Sequence, residues 1–196
     1  MPSSADLPDV PLSWAWQPLP RGVSAEPLAR AWLAGKLDAG ARALAIRRDP
    51  RGRPRLEAPF AGYDCNWSHS GEGLLVVLGQ DLQVGADMEW LRPRPRALAL
   101  AQRYFTPAEA LWLGALDAPA RELAFLRLWC AKESVLKAHG QGLAFGLDRI
   151  EFHHRAGRLS LAGCDAALGR PEDWSLREIE PAPGYLGALA WRRPPG

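Results

Sequence analysis

The sequence predicts a mixed α/β chain of the α+β kind, in which antiparallel strands pack on helices and the chain changes character near residue 91. Three observations carry that reading. Apolar, β-rich stretches at 65–68, 74–78 and 82–88 are separated only by SGEG (70–73) and GQD (79–81). Those turns are too short for crossover helices, so the stretches read as a meander and exclude a βαβ array. The segment LRPRPR at 91–96 then interrupts the pattern with alternate prolines, and beyond it the apolar spacing turns helical before strands return.

Each element has a local reason. Val10–Trp16 predicts a short strand flanked by prolines. Ser24 precedes an amphipathic helix through Leu37, with Leu28, Trp32 and Leu33 on one face. Ala41–Ile46 reads as a strand, and RRDPRGRPR (47–55) as a Pro- and Gly-rich loop. Thr106, Pro107 and Glu109 spell a capping box with proline at the first helical position. A longer helix starts near Pro119 and stops at Gly140, a natural left-handed terminator. Strands are expected near 149–153, 159–162, 174–179 and 185–191. Each half therefore offers helix and strands in similar amounts, although no residue-level repeat relates them.

Composition bounds the function. The chain has 196 residues, 47% hydrophobic and 23% charged, which excludes a disordered or fibrous protein. A net charge of +2 does not announce a nucleic-acid binder. The central apolar run Leu74–Leu78 is far short of the roughly 18 residues a membrane span needs. No basic segment precedes an apolar run at the N-terminal end, so no secretory signal is expected. Cys65, Cys130 and Cys164 are odd in number and lack a C-x-x-C spacing, which argues against a disulfide scaffold or a structural zinc site. A soluble protein of a reducing, cytoplasmic compartment is expected. There are 21 arginines but only three lysines, two of them Lys132 and Lys137 in one segment. Coding bias explains that as readily as function does.

Three clusters carry chemistry. Asn66-Trp67-Ser68-His69-Ser70 ends a strand, and His69 with its serines either meets a phosphate or simply occupies a turn. Asp87 and Glu89 are two apart on a strand, so they leave the same face. They repel each other unless they reach solvent or share a cation, and hard oxygen ligands suit Mg²⁺. Glu133 and Lys137 stand at i and i+4, as do Trp129 and Glu133. The first pair is either an ordinary surface pair or, if Trp129 marks burial, a third carboxylate beside a phosphate-neutralising lysine.

In order and spacing, NWSHS (66–70), GADME (85–89) and WCAKESVLK (129–137) resemble the signature of the 4′-phosphopantetheinyl transferases of the Sfp, or surfactin synthetase-activating, type. That signature runs Asn-x-Ser-His-Ser, Gly-x-Asp-x-Glu, Trp-x-x-Lys-Glu-x-x-x-Lys. RYFTPAE (103–109) and GQGLAFGLD (140–148) are similar to the family as well, and the match spans about residues 52–152. One motif alone would be weak; three in register are specific.

The resemblance implies two similar lobes in one chain, residues 1–90 and 91–196, forming a monomeric pseudo-dimer with coenzyme A in the cleft. It implies Asp87, Glu89 and Glu133 as Mg²⁺ ligands, with Ser68 and His69 on the nucleotide phosphates and Lys137 on the pyrophosphate. Lys132 matches a further family lysine, Arg53 falls where the family often has Gly-Lys-Pro, and Arg30 aligns loosely with an arginine that binds the 3′-phosphate; all three are expected to bind the co-substrate. The reaction implied is attack by a serine of an apo acyl or peptidyl carrier protein on coenzyme A, releasing adenosine 3′,5′-bisphosphate. Glu133 is the candidate base, directly or through water, and Lys137 assists the leaving group. Arg92, Arg94, Arg96 and Arg103 either meet an acidic carrier or are solvated. Fatty-acid, polyketide and nonribosomal peptide pathways all use such carriers. The sequence departs from the pattern in that only 65 residues precede NWSHS. Two other classes use similar residues: a Mg²⁺-dependent phosphohydrolase acting on a nucleotide pyrophosphate, and a non-catalytic coenzyme A-binding module.

Overall fold

A computed structural model of the chain describes residues 3–7, 9–40 and 44–194. Its elements begin with strands β1 (Ser3–Asp6) and β2 (Leu12–Pro18), helix α1 (Ala25–Lys36) and a small hairpin, β3 (Ile46–Arg48) and β4 (Pro54–Leu56). Three long strands follow, β5 (Tyr63–Ser70), β6 (Gly73–Gln80) and β7 (Gln83–Trp90). Helices α2 (Ala97–Tyr104), α3 (Pro107–Gly114) and α4 (Ala118–His139) come next, and then strands β8 (Ile150–Arg155), β9 (Arg158–Cys164), β10 (Ser175–Ile179) and β11 (Tyr185–Arg192). The result is a mixed α/β fold whose strand pairs are all antiparallel.

The strand β6 organises the first half. Its run GLLVVLG is buried from Gly73 to Gly79 because both faces are covered. Leu74, Val76 and Leu78 pack with Ala29, Leu33 and Ala34 of α1. Leu75 and Val77 pack with Val84, Ala86 and Met88 of β7 and with Leu189 of β11. Each apolar side chain moved out of water here contributes roughly 1.5–3 kcal/mol. Both edges of β6 are occupied too, by β2 and β5, in the order β1-β2-β6-β5.

That occupancy corrects the expected meander. With no free edge on β6, β7 crosses to a second sheet of order β10-β11-β7, pairing Asp87 with Ala188 and Glu89 with Leu186. The segment 47–55 is also not a loop. Arg47 pairs with Arg55, and Asp49 folds the tip by accepting the N–H groups of Arg51 at 2.9 Å and Arg53 at 3.0 Å. The tip needs Gly52, whose φ is +81°. Of the strand expected at 41–46, residues 41–43 lie outside the described residues, and strand structure begins at Ile46.

Helices α3 and α4 start at side-chain caps, whereas Ser24, at the N-cap of α1, makes no side-chain bond to the first turn. Thr106 and Glu109 close the capping box of α3, and Asp117 caps α4 through the N–H of Ala120. Gly140, at φ +85°, ends α4. The long helix lies across β7 and β11, burying Leu128, Val135 and Leu136 in the second core with Phe105, Phe125 and Ile150. Cys65, Cys130 and Cys164 are free thiols. Among the described residues no helix is long and apolar enough to cross a membrane.

Candidate active site at the meeting of β5, β7 and α4

Strand β7 pairs with β11 on one edge, and the N–H groups of its other edge need acceptors. Side chains of β5 supply them. Asp64 Oδ2 accepts from Val84 N–H at 2.8 Å, Asn66 Oδ1 from Ala86 N–H at 3.1 Å, and Ser70 Oγ from Trp90 N–H at 3.1 Å. The same strand face continues to the acids: Ser68 Oγ donates to Asp87 Oδ1 at 2.8 Å and Ser70 Oγ to Glu89 Oε2 at 3.0 Å. NWSHS therefore splits by strand alternation. Asn66, Ser68 and Ser70 face β7, whereas His69 points the other way and is exposed.

Helix α4 brings the third acid. A Cβ on Gly85 would stand 2.0 Å from the Ser134 carbonyl oxygen and 2.4 Å from Ala138 N, so only glycine lets the helix backbone approach β7 this closely. At that distance Lys137 Nζ reaches Asp87 Oδ1 at 2.7 Å, and Glu133, 6% exposed, enters the field of Asp87 and Glu89. Burial, reinforced by those two acids, pushes the Glu133 carboxyl up to about 7. Burial opposes the charge on Lys137, but Asp87 beside it, with Glu133, holds the ammonium above its ordinary range. The Cys130 thiol, buried beside the same acids, is pushed far above its usual value and stays neutral.

The acids are oxygen donors of the kind a hard cation takes. Asp87 is 5% exposed, so it is not a solvent-facing strand end, and its Oδ2 is buried with no partner. Its other oxygen holds Lys137, and Glu89 holds Arg94 at 2.7 Å. Among the described residues no group of acids, histidines or cysteines stands at metal-ligand spacing. Basic side chains hold the charges apart instead. An unpartnered buried carboxylate oxygen, two further acids within its field and an all-oxygen donor set fit a hard divalent cation such as Mg²⁺.

Lys137 also lines an adjoining cavity, together with Arg48, Arg51, Gly52, Arg53, Asn66, Trp67 and Gly140. Arg53 is 5% exposed and donates to Asp64 and to the Val84 carbonyl at 2.8 Å, while its Nε and Nη1 have no partner. Arg48 lies 4.9 Å from the centre of the Trp67 ring and bonds Glu26 at 2.5 Å.

Four expected co-substrate residues do not line this cavity. Ser68 gives its hydroxyl to Asp87, and His69 is exposed on the opposite face of β5. Arg30 is spent on the Leu44 carbonyl and on Glu26 at 3.3 Å. Lys132 is fully buried, and its ammonium is held by Glu109 and by two backbone carbonyls on the far side of α4. Neighbouring helix positions differ by about 100°, which turns Lys132 away from the face that carries Glu133. Sequence reading placed Arg48 and Arg51 in a loop, took Arg94 as carrier-facing or solvated and Glu109 as a helix cap, and passed over Asp64. For Asp64 a signal existed: it shares the even-numbered strand face of Asn66, Ser68 and Ser70.

A family model described as the 4′-phosphopantetheinyl transferase superfamily matches residues 83–189, from the start of β7 into β11. The chain belongs to that superfamily. It is 34% identical over 164 residues to the 4′-phosphopantetheinyl transferase HetI of Nostoc, covering 82% of this chain and 66% of HetI. It is 33% identical over 143 residues to the 4′-phosphopantetheinyl transferase AcpT of Salmonella typhi, covering 70% and 69%. A putative 4′-phosphopantetheinyl transferase of Synechocystis is 35% identical over 126 residues, 62% of this chain and 50% of that protein. The chain thus spans between half and about two thirds of the length of these superfamily members. The superfamily match contains Asp87, Glu89, Glu133 and Lys137, but not Arg53, Ser68 or His69.

Proposed function

We propose that this chain transfers the 4′-phosphopantetheine arm of coenzyme A to a serine of an apo acyl or peptidyl carrier protein, with Mg²⁺, releasing adenosine 3′,5′-bisphosphate. One observation carries the reading: Lys137 belongs both to the arginine-lined cavity and to the carboxylate cluster, so a phosphate seated in the first abuts the second.

In this reading Arg48 and Arg51 receive the nucleotide phosphates, and buried Arg53 in the cavity wall adds its charge beside them. Exposed His69 adds a donor at the end of β5, and Ser68, whose hydroxyl is given to Asp87, acts through that acid. Arg30 acts at one remove, sharing Glu26 with Arg48. Asp87, Glu89 and Glu133 would hold Mg²⁺, which neutralises charge on the pyrophosphate oxygens. The carrier serine oxygen forms a bond to the β-phosphorus, and the bond from that phosphorus to the oxygen bridging to the α-phosphate breaks. Glu133, which burial inclines to take up a proton, takes the serine proton directly or through water. Lys137 meets the charge that develops on the leaving oxygen.

Asp87, Glu89, Glu133 and Lys137 all come from one chain, which supports a monomeric enzyme. We assign residues 1–90 and 91–196 to two lobes with the site between them. The cytoplasm is the proposed compartment, where three free thiols fit a reducing medium.

Intact-mass spectrometry of a panel of fatty-acid, polyketide and peptide apo carriers, incubated with coenzyme A, Mg²⁺ and the protein, tests the reading. The expected result is a gain of one phosphopantetheine arm, abolished by EDTA and by Asp87→Ala, with calorimetric Mg²⁺ binding lost in the same variant. Coenzyme A cleavage without an acceptor would replace the reading with a phosphohydrolase. Binding without any product would leave a binding module.

A further inference from the structure

From Cys130 to Leu136, α4 is buried on every side. Apolar contact alone does little to choose among rotations of such a helix, because every face is surrounded by packed core. The site nevertheless requires one rotation, the one that turns Glu133 and Lys137 toward β7. Gly85 sets how near the helix comes but not how it is turned.

A polar knot on the opposite side of the helix supplies the missing constraint. Lys132 is 0% exposed; its Nζ stands 2.7 Å from Glu109 Oε2, donates to the Leu147 carbonyl at 2.9 Å and to the Ile150 carbonyl, and lies 5.0 Å from the centre of the Phe105 ring. Glu109, 2% exposed, also accepts from Thr106 N–H and Thr106 Oγ1, each at 3.0 Å, and from Phe152 N–H at 2.8 Å. One carboxylate thus ties the start of α3 and strand β8 to a single position of α4. A turn of one residue in either direction would leave a buried ammonium and a buried carboxylate unpaired, a cost of several kcal/mol by order of magnitude.

We propose that Glu109 and Lys132 are positioning residues, whose buried ion pair fixes the rotation of α4 and thereby where Glu133 and Lys137 stand over β7. The inference deepens the transfer reading and rests on it for its kinetic test. Replacing such a pair whole can leave stability unchanged, whereas removing one partner is costly, so the effect is read in kcat as well as in melting temperature.

The experiment compares wild type with Glu109→Gln in transfer kinetics, calorimetric coenzyme A binding and thermal unfolding, assayed well below either melting temperature. The expected kcat loss is about 10²-fold, the scale of a misplacement on the order of 1 Å. Coenzyme A affinity should change much less, because Arg48, Arg51 and Arg53 sit on the β3–β4 hairpin and its tip. An unchanged kcat in folded Glu109→Gln overturns the proposal, whatever the melting temperature does. If that variant does not fold, Thr106→Val and Thr106→Ser decide. Valine, which removes the hydroxyl donor, should lower kcat and serine should keep it; equal kcat in the two overturns the proposal. If wild type transfers nothing, the proposed function fails separately, and alkylation of Cys130 on α4, taken relative to that of Cys65 buried in the other core, still reports the helix. Glu109→Gln should raise that ratio, and an unchanged ratio overturns the proposal.

Discussion

A carboxyl group whose pKa rises from 4.5 to about 7 on folding leaves a signature in stability as well as in rate. Between those values folded Glu133 holds a proton that the unfolded chain has lost, so the folded state loses stability as pH rises through that window. Glu133→Gln should flatten this contribution, and thermal melts at a series of pH values would show it. Mg²⁺ held by the same carboxyl would lower its pKa, so the acid limb of the kcat–pH profile should lie below the window seen in metal-free melts. Asp87→Asn removes the largest charge that raises Glu133, so the upper end of the stability window should move to lower pH. Transfer by that variant should fall by about 10²–10³-fold, the scale of losing one electrostatic contact. At this scale the sequence was informative about proximity and silent about direction. Short strings placed Asp87, Glu89, Glu133 and Lys137 in common motifs, and the fold brings them together. That Lys132 faces away from Glu133, and His69 away from Ser68, follows from the periods of helix and strand. The strings did not say which of each pair meets the site, because that depends on what packs against the element.

Helix α4 and strand β7 act as one device, and Gly85 is its closest contact. Gly85→Ala would drive a methyl group into the backbone at Ser134 and Ala138, neither of which can swing aside. Overpacking of this kind costs about 1–3 kcal/mol or more. Because relief requires moving the helix off the strand, transfer should fall along with the melting temperature; a melting loss with normal kcat would show that the helix yields elsewhere. The limits of α3 and α4 were legible because caps are local chemistry: Thr106 with Glu109, and Gly140 after the last turn. The β3–β4 hairpin was not legible. Its strands are three residues each and rich in arginine and proline, so they show no alternation, and their pairing is held largely by Asp49 at the tip.

Across the whole molecule, two antiparallel sheets meet at a seam between β5 and β7 that has side chains on one side and backbone on the other. Asn66→Ala would leave the buried Ala86 N–H without its acceptor, a cost of about 1–3 kcal/mol. A lowered melting temperature, with a larger loss of transfer than of coenzyme A binding, is the expected result. The strands themselves were readable from apolar runs and turn residues. Their partners were not, since nothing between 79 and 83 says that both edges of β6 are already filled. The meander therefore breaks at β7, which joins β11 about a hundred residues onward.

Backbone ladders are indifferent to side-chain identity and tolerate substitution. The seam between β5 and β7 is written in particular side chains, so a single base change can erase one of its rungs. NWSHS consequently serves two masters, chemistry at Ser68 and masonry at Asn66 and Ser70. An alanine scan scored by activity alone would report all three as one catalytic motif, although two of them hold up the wall on which the acids are mounted.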